Sequence, residues 1–71
     1  MDKNYLESVM KRHGDTGSTL AVYLGMARST FSMKINENGS EFTQKEIAKI
    51  KKKYQLSADE VNDIFFAEKV S

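Results

Sequence analysis

No cysteine occurs anywhere in this 71-residue chain, and it holds a single histidine. A chain of this size buries only about 60% of the surface that its unfolded form exposes. Disulfides or a structural metal often make up the shortfall in small domains. Neither route is open here, because one imidazole and no thiolate cannot build a four-ligand zinc site. Stability must come from close packing of helices or sheets, or from self-association. The missing thiols also fit a reducing compartment, and a soluble, cytoplasmic setting is the expectation. The longest apolar runs are three residues, as at Leu20-Ala21-Val22, far below the ~20 needed to cross a bilayer. No charged start leads into an apolar block of signal-peptide length.

The formal net charge is only +1, but it is unevenly spread. In residues 1–25, Lys3, Lys11 and Arg12 balance Asp2, Glu7 and Asp15. Residues 26–54 set Arg28, Lys34, Lys45, Lys49 and Lys51 to Lys53 against Glu37, Glu41 and Glu46, an excess of four positive charges. Residues 55–71 carry Lys69 against Asp59, Glu60, Asp63 and Glu68, an excess of three negative charges. A basic middle and an acidic end describe a two-sided molecule that could turn one side toward a polyanion. Lys51 to Lys53 also read simply as solvated charges complementing a helix C-terminus.

Helical periodicity recurs along the chain and strand alternation does not. Tyr5, Leu6, Val9 and Met10 form one apolar stripe, and Gly14 suits a left-handed helix end, with His13 beside it. Thr16 or Ser18 can cap a second segment with Leu20, Ala21 and Leu24 inward and Gly25 as its stop. A third runs from Arg28 to about Asn36 with Phe31 and Ile35 one turn apart. Asn36-Glu37-Asn38-Gly39-Ser40 is loop by composition. Thr43-Gln44-Lys45-Glu46 and Ser57-Ala58-Asp59-Glu60 are capping-box patterns. The first opens a helix with Ile47, Ile50, the Lys51 stem and Tyr54 on one face. The second opens a helix with Val61, Ile64 and Phe65 inward. The expected architecture is all-α: one domain spanning residues 1–71, a compact bundle of about five short helices, with residues 66–71 a short tail. Connections of two to six residues are ordinary for such a bundle.

The stretch Thr16 to Asn36 carries the functional signal. It reads as helix, three-residue break, helix. Ala21 is small where two helices would cross, Gly25 can take positive φ, and Leu20, Leu24, Met26 and Phe31 would fix the crossing. This is the pattern of a helix-turn-helix, whose second helix enters the DNA major groove. With Phe31 and Ile35 inward, the opposite face shows Arg28, Ser29, Ser32 and Met33. The Arg28 guanidinium matches guanine O6 and N7, worth ~1–3 kcal/mol of discrimination. Ser29 and Ser32 can bond a base edge or a phosphate. Met33 has two readings, a thymine-methyl contact or core filling. Lys34, Asn36 and Asn38 would reach phosphates, which position without specifying. Ser18 and Thr19 are weaker phosphate candidates, and Gly17 would let a phosphate approach the amides of that helix start.

From about residue 5 to residue 65 the sequence resembles the Cro/repressor-type, or XRE-type, helix-turn-helix family of phages and bacteria. Leu24-Gly25-Met26-Ala27-Arg28-Ser29-Thr30-Phe31-Ser32 looks like that family's turn and recognition helix. Lys34-Ile35-Asn36, a Gly-containing loop, and Phe42-Thr43-x-x-Glu46-Ile47-x-x-Ile50 are similar to its small phage and prophage regulators. The resemblance implies a lambda-repressor-like fold and a transcription regulator, most often a repressor. Two positions depart from the family: Gly17 replaces a phosphate-binding Gln, and Ala27 replaces a polar cap. Each loss would cost ~1 kcal/mol.

A single small module makes few base contacts, so useful specificity needs two copies on half-sites ~34 Å apart. The expected homodimer surface is Phe65, Phe66 and Val70, with Tyr54 at its edge. Adjacent Phe65 and Phe66 cannot both face inward on one helix, so one either meets a partner or is covered by the tail. A different class of function is a modulator that binds a partner repressor protein; near-zero net charge and Gly17 favour it. An enzyme is not expected: there is no cysteine nucleophile, phosphate loop or metal-ligand cluster. No cofactor or membrane partner is implied.

Overall fold

A computed structural model describes residues 1–66 of the chain. They form five helices: α1, Lys3–Arg12; α2, Gly17–Leu24; α3, Arg28–Ile35; α4, Gln44–Tyr54; and α5, Ala58–Phe65. The architecture is an all-α bundle of 11.3 Å radius of gyration, and no strand occurs among the described residues. Val70 and most of the expected tail lie outside the described residues, while Phe66 caps α5. Among the described residues no helix is long and apolar enough to cross a membrane.

Four of the five helices begin at a side-chain cap. Asp2 accepts from the Tyr5 amide ahead of α1. Thr43 with Glu46 and Ser57 with Glu60 form reciprocal capping boxes at α4 and α5. Thr16 rather than Ser18 caps α2, and Thr19 returns a hydrogen bond to the Thr16 amide. Only α3 starts bare, after Ala27, with no side-chain cap bond.

The turns follow from left-handed residues. Gly14 (φ +73°) ends α1, and the next amide, Asp15 N–H, reaches back to the Met10 carbonyl at 2.8 Å. Gly25 (φ +73°) ends α2 and lets Met26 N–H reach the Ala21 carbonyl at 3.0 Å. At the end of α4 the left-handed position is held by Gln55 (φ +54°). The next residue, Leu56, is thereby turned into the core.

Buried side chains from all five helices meet in one cluster that includes Leu6, Leu20, Phe31, Ile50 and Ile64. Phe42 and Leu56 join it from the connections. Phe31, Phe42 and Phe65 form an edge-on chain with centroids 5.7 and 6.0 Å apart. The most extensive helix–helix contact is between α2 and α3. Lys51, expected to lay its stem on the core, is exposed instead, because it sits at the margin of the Ile47–Ile50–Tyr54 face.

Candidate nucleic-acid interface

Phe31 and Ile35 anchor α3 in the core, which fixes what its other face presents. Arg28, Ser29 and Met33 are exposed there, and Ser32 is half-buried. Met33 is 46% exposed, so it is not a core filler. These four side chains share the outward strip of one two-turn helix, as their spacing requires.

Arg28 does not simply extend into solvent. Its guanidinium lies across the first turn of α2, over Gly17. A Cβ at Gly17 would stand 2.8 Å from Arg28 Cζ and 2.9 Å from Nε and Nη2. The same guanidinium carbon is 5.8 Å from the Phe31 ring centroid. Glycine at 17 therefore makes room for the far end of residue 28, a relation across the turn that periodicity does not reveal.

The expected phosphate-binding set is largely committed within the protein. Lys34 is the clearest correction. Its side chain is only 12% exposed, and its Nζ donates to both Glu46 oxygens at 2.8 and 3.0 Å, tying the end of α3 to the start of α4. Burial by itself would raise the Glu46 pKa, but the Lys34 ammonium and the Thr43 amide outweigh it, and the carboxyl sits below its ordinary value. Thr19 is likewise engaged. Its hydroxyl donates to Asp15 at 2.8 Å and accepts from the Thr16 amide at 2.9 Å. Asn36 accepts from Lys3 Nζ at 2.6 Å and donates to the Ser32 carbonyl at 2.9 Å. Ser18 and Asn38 are exposed, and Gly17 is half-buried under Arg28.

Asp15 changes the electrostatics at the start of α2. It accepts from the Tyr54 hydroxyl at 2.7 Å and lies 3.5 Å from Lys53 Nζ. These partners hold its carboxyl below the usual aspartate value, the Tyr54 hydrogen bond foremost, then Thr19 and Lys53. Burial and the facing Asp15 push the Tyr54 hydroxyl well above its ordinary value. Lys53 also lies 4.7 Å from the Tyr23 ring centroid, and His13 packs on Tyr54 at 4.7 Å. The carboxylate beside the first turn of α2 is thus paired with Tyr54 and Lys53, and the Arg28 guanidinium lies over the same turn.

Tyr54 is accordingly removed from the expected dimer surface, because it is buried and its hydroxyl is bound internally. Phe65 is half-buried against Phe42. Phe66 is 51% exposed and, with Phe65, borders a cleft of about 220 Å³ beside Met1, Phe42 and Ile47. Val70 lies outside the described residues.

One set of cations counted in the basic middle of the sequence was not assigned to the candidate site. Lys45, Lys49, Lys51 and Lys52 on α4 are exposed, with no ion pair or hydrogen bond among the described residues. Their i, i+4, i+7 spacing at 45, 49 and 52 was the available signal.

Among the described residues no group of three or more acidic, His or Cys side chains is arranged to hold a metal. Compared with family models, curated proteins and solved structures, the chain matches none.

Proposed function

We propose that the chain is a sequence-specific binder of double-stranded DNA acting as a small cytoplasmic transcription regulator, of Cro-like repressor type. In this reading α2, the turn Gly25 to Ala27, and α3 work as a helix-turn-helix with α3 in the major groove. One observation carries it: a short helix is pinned from beneath by Phe31 and Ile35 while Arg28, Ser29 and Met33 stand clear of the protein's interior. A guanidinium, small hydroxyls and a thioether are groups that read guanine, mixed edges and a thymine methyl. Arg28 swings from its seat over Gly17 to a guanine edge. Two copies meet through the exposed Phe66 and its cleft, and read a two-fold-related site.

The test is competition between duplexes selected from a random pool and unselected DNA. Arg28→Ala should bring the specificity ratio close to one. An unchanged ratio overturns the role given to Arg28, and a selected pool with no common motif overturns sequence reading altogether.

The second reading, a modulator that binds a partner repressor protein, draws support from a different observation. Lys34 and Thr19 are internally spent. The exposed Val22, Tyr23 and Met33 offer apolar contact. Salt separates the two readings, since duplex binding weakens steeply between 50 and 200 mM salt. No duplex binding at low salt selects the modulator.

A further inference from the structure

We propose that the outward face of α4 is a polyanion-docking surface, on which Lys45, Lys49 and Lys52 contact the phosphate backbone of duplex DNA. The inference rests on the DNA-binding reading and assigns the charge that reading lacks. Duplex affinity comes mainly from neutralised phosphates. The α3 strip supplies a single cation, Arg28, because Lys34 is paired with Glu46. Lys3 is bonded to Asn36 and Lys53 is shared between Asp15 and two tyrosine rings. Among the described residues the uncommitted lysines are Lys11 on α1 and a group of four on α4, Lys45, Lys49, Lys51 and Lys52.

The helix itself accounts for Lys52 in its last turn but not for the rest of the stripe. Ile47, Ile50 and Tyr54 face the core, so residues 45, 49 and 52 line the opposite side at one-turn intervals. The helix dipole favours lysine in the last turn but disfavours Lys45 in the first. Like charges at i, i+4 repel, and Lys45 to Lys49 and Lys49 to Lys53 are such pairs. The only carboxylate on α4, Glu46, is turned to Lys34 and to the Thr43 amide. A bound polyanion removes this self-repulsion. The acidic side chains Asp59 and Asp63 lie on α5.

The experiment compares wild type with K45Q/K49Q/K52Q on a random-sequence duplex across salt. Glutamine is a good helix former, so helix content and thermal midpoint should be retained. Each lost phosphate contact lowers the slope of log K against log salt by about 0.9, so the triple variant should lose about 2.7. An unchanged slope, with wild type still selecting a motif, overturns the α4 surface and leaves base reading by α3 intact. A slope that falls as expected, with no motif selected, supports α4 and overturns sequence reading. Absence of duplex binding by wild type at low salt overturns both.

Discussion

Tyr54 donates its hydroxyl proton to Asp15 at 2.7 Å across 39 residues of sequence. The bond joins the end of α4 to the turn before α2. Hydrogen bonds to charged groups are worth about 1.5–3 kcal/mol when buried. Here the site is partly open, so Tyr54→Phe should cost about 1–2 kcal/mol at neutral pH. The pH dependence has a defined sign. A lowered carboxyl pKa means the unfolded chain binds more protons, so stability is present above the ordinary aspartate value of about 4 and is lost as pH falls below it. Tyr54 is the leading cause of that lowering. The gap between Tyr54→Phe and wild type should therefore narrow on acidification, as read by urea unfolding at about pH 7 and about pH 3. An equal gap at both would detach Asp15 from the effect.

Lys34→Ala tests structural against phosphate-binding use of that residue. Removing one member of a largely buried pair leaves Glu46 uncompensated, and a loss of about 2 kcal/mol is expected. The salt dependence of DNA binding should stay as in wild type, because this ammonium is already neutralised. A shallower slope would return Lys34 to the phosphate set.

Gly17→Ala should separate stability from recognition. The added methyl collides with the end of a flexible side chain, which can swing aside. Alanine is a better helix former than glycine by about 0.8–1 kcal/mol, less so at a first turn. Thermal unfolding should show an equal or higher midpoint. Because Arg28 leaves this seat when it reads a base, the selected motif should be kept while affinity for it is equal or higher. A changed motif would mean that Arg28 reads DNA while still seated on Gly17.

Gln55→Gly addresses the left-handed end of α4. A side-chain-bearing residue at φ +54° is strained by about 1 kcal/mol, part of which glycine returns as unfolded-state entropy. A net gain of about 0.5 kcal/mol is expected in denaturant unfolding. Destabilisation would mean that the Gln55 side chain holds contacts beyond its turn.

Phe31→Ala probes the joint between the core and the candidate reading face. Phe31 is fully buried and stacks edge-on with Phe42. Such truncations cost about 3–5 kcal/mol, a large share of the stability of a domain this small at ~0.05–0.15 kcal/mol per residue. The variant should be largely unfolded at 37 °C by circular dichroism.

Elements governed by local rules were readable in advance. Thr43 with Glu46 and Ser57 with Glu60 begin helices because the reciprocal bonds are made within four residues. Gly25 marks the turn because the needed conformation belongs to one residue. What escaped depends on partners far along the chain. Phe42 and Leu56 sit in connections, where no period marks them as core. Lys34 reads as a free cation until the fold brings Glu46 to it. Tyr54 was placed both inward and at a partner surface, and its partner Asp15 settles the matter. Thr16 with Thr19 caps α2 through a threonine in place of the usual Glu, a variant the motif does not anticipate. Of the candidate site, Arg28, Ser29 and Met33 stand exposed as helical spacing requires, and Ser32 is partly covered. The resting pose of Arg28 over Gly17 needed three dimensions.

Ala27 leaves the first amides of α3 to water, while the other four helices start under a side-chain oxygen. In isotope-exchange terms, the protons of that turn should swap with solvent soonest among the helix starts. A Ser codon lies one nucleotide from an Ala codon, so a tighter version of this helix is a single replication error away. Such a change would cap this helix without disturbing one buried atom, since Ala27 is exposed.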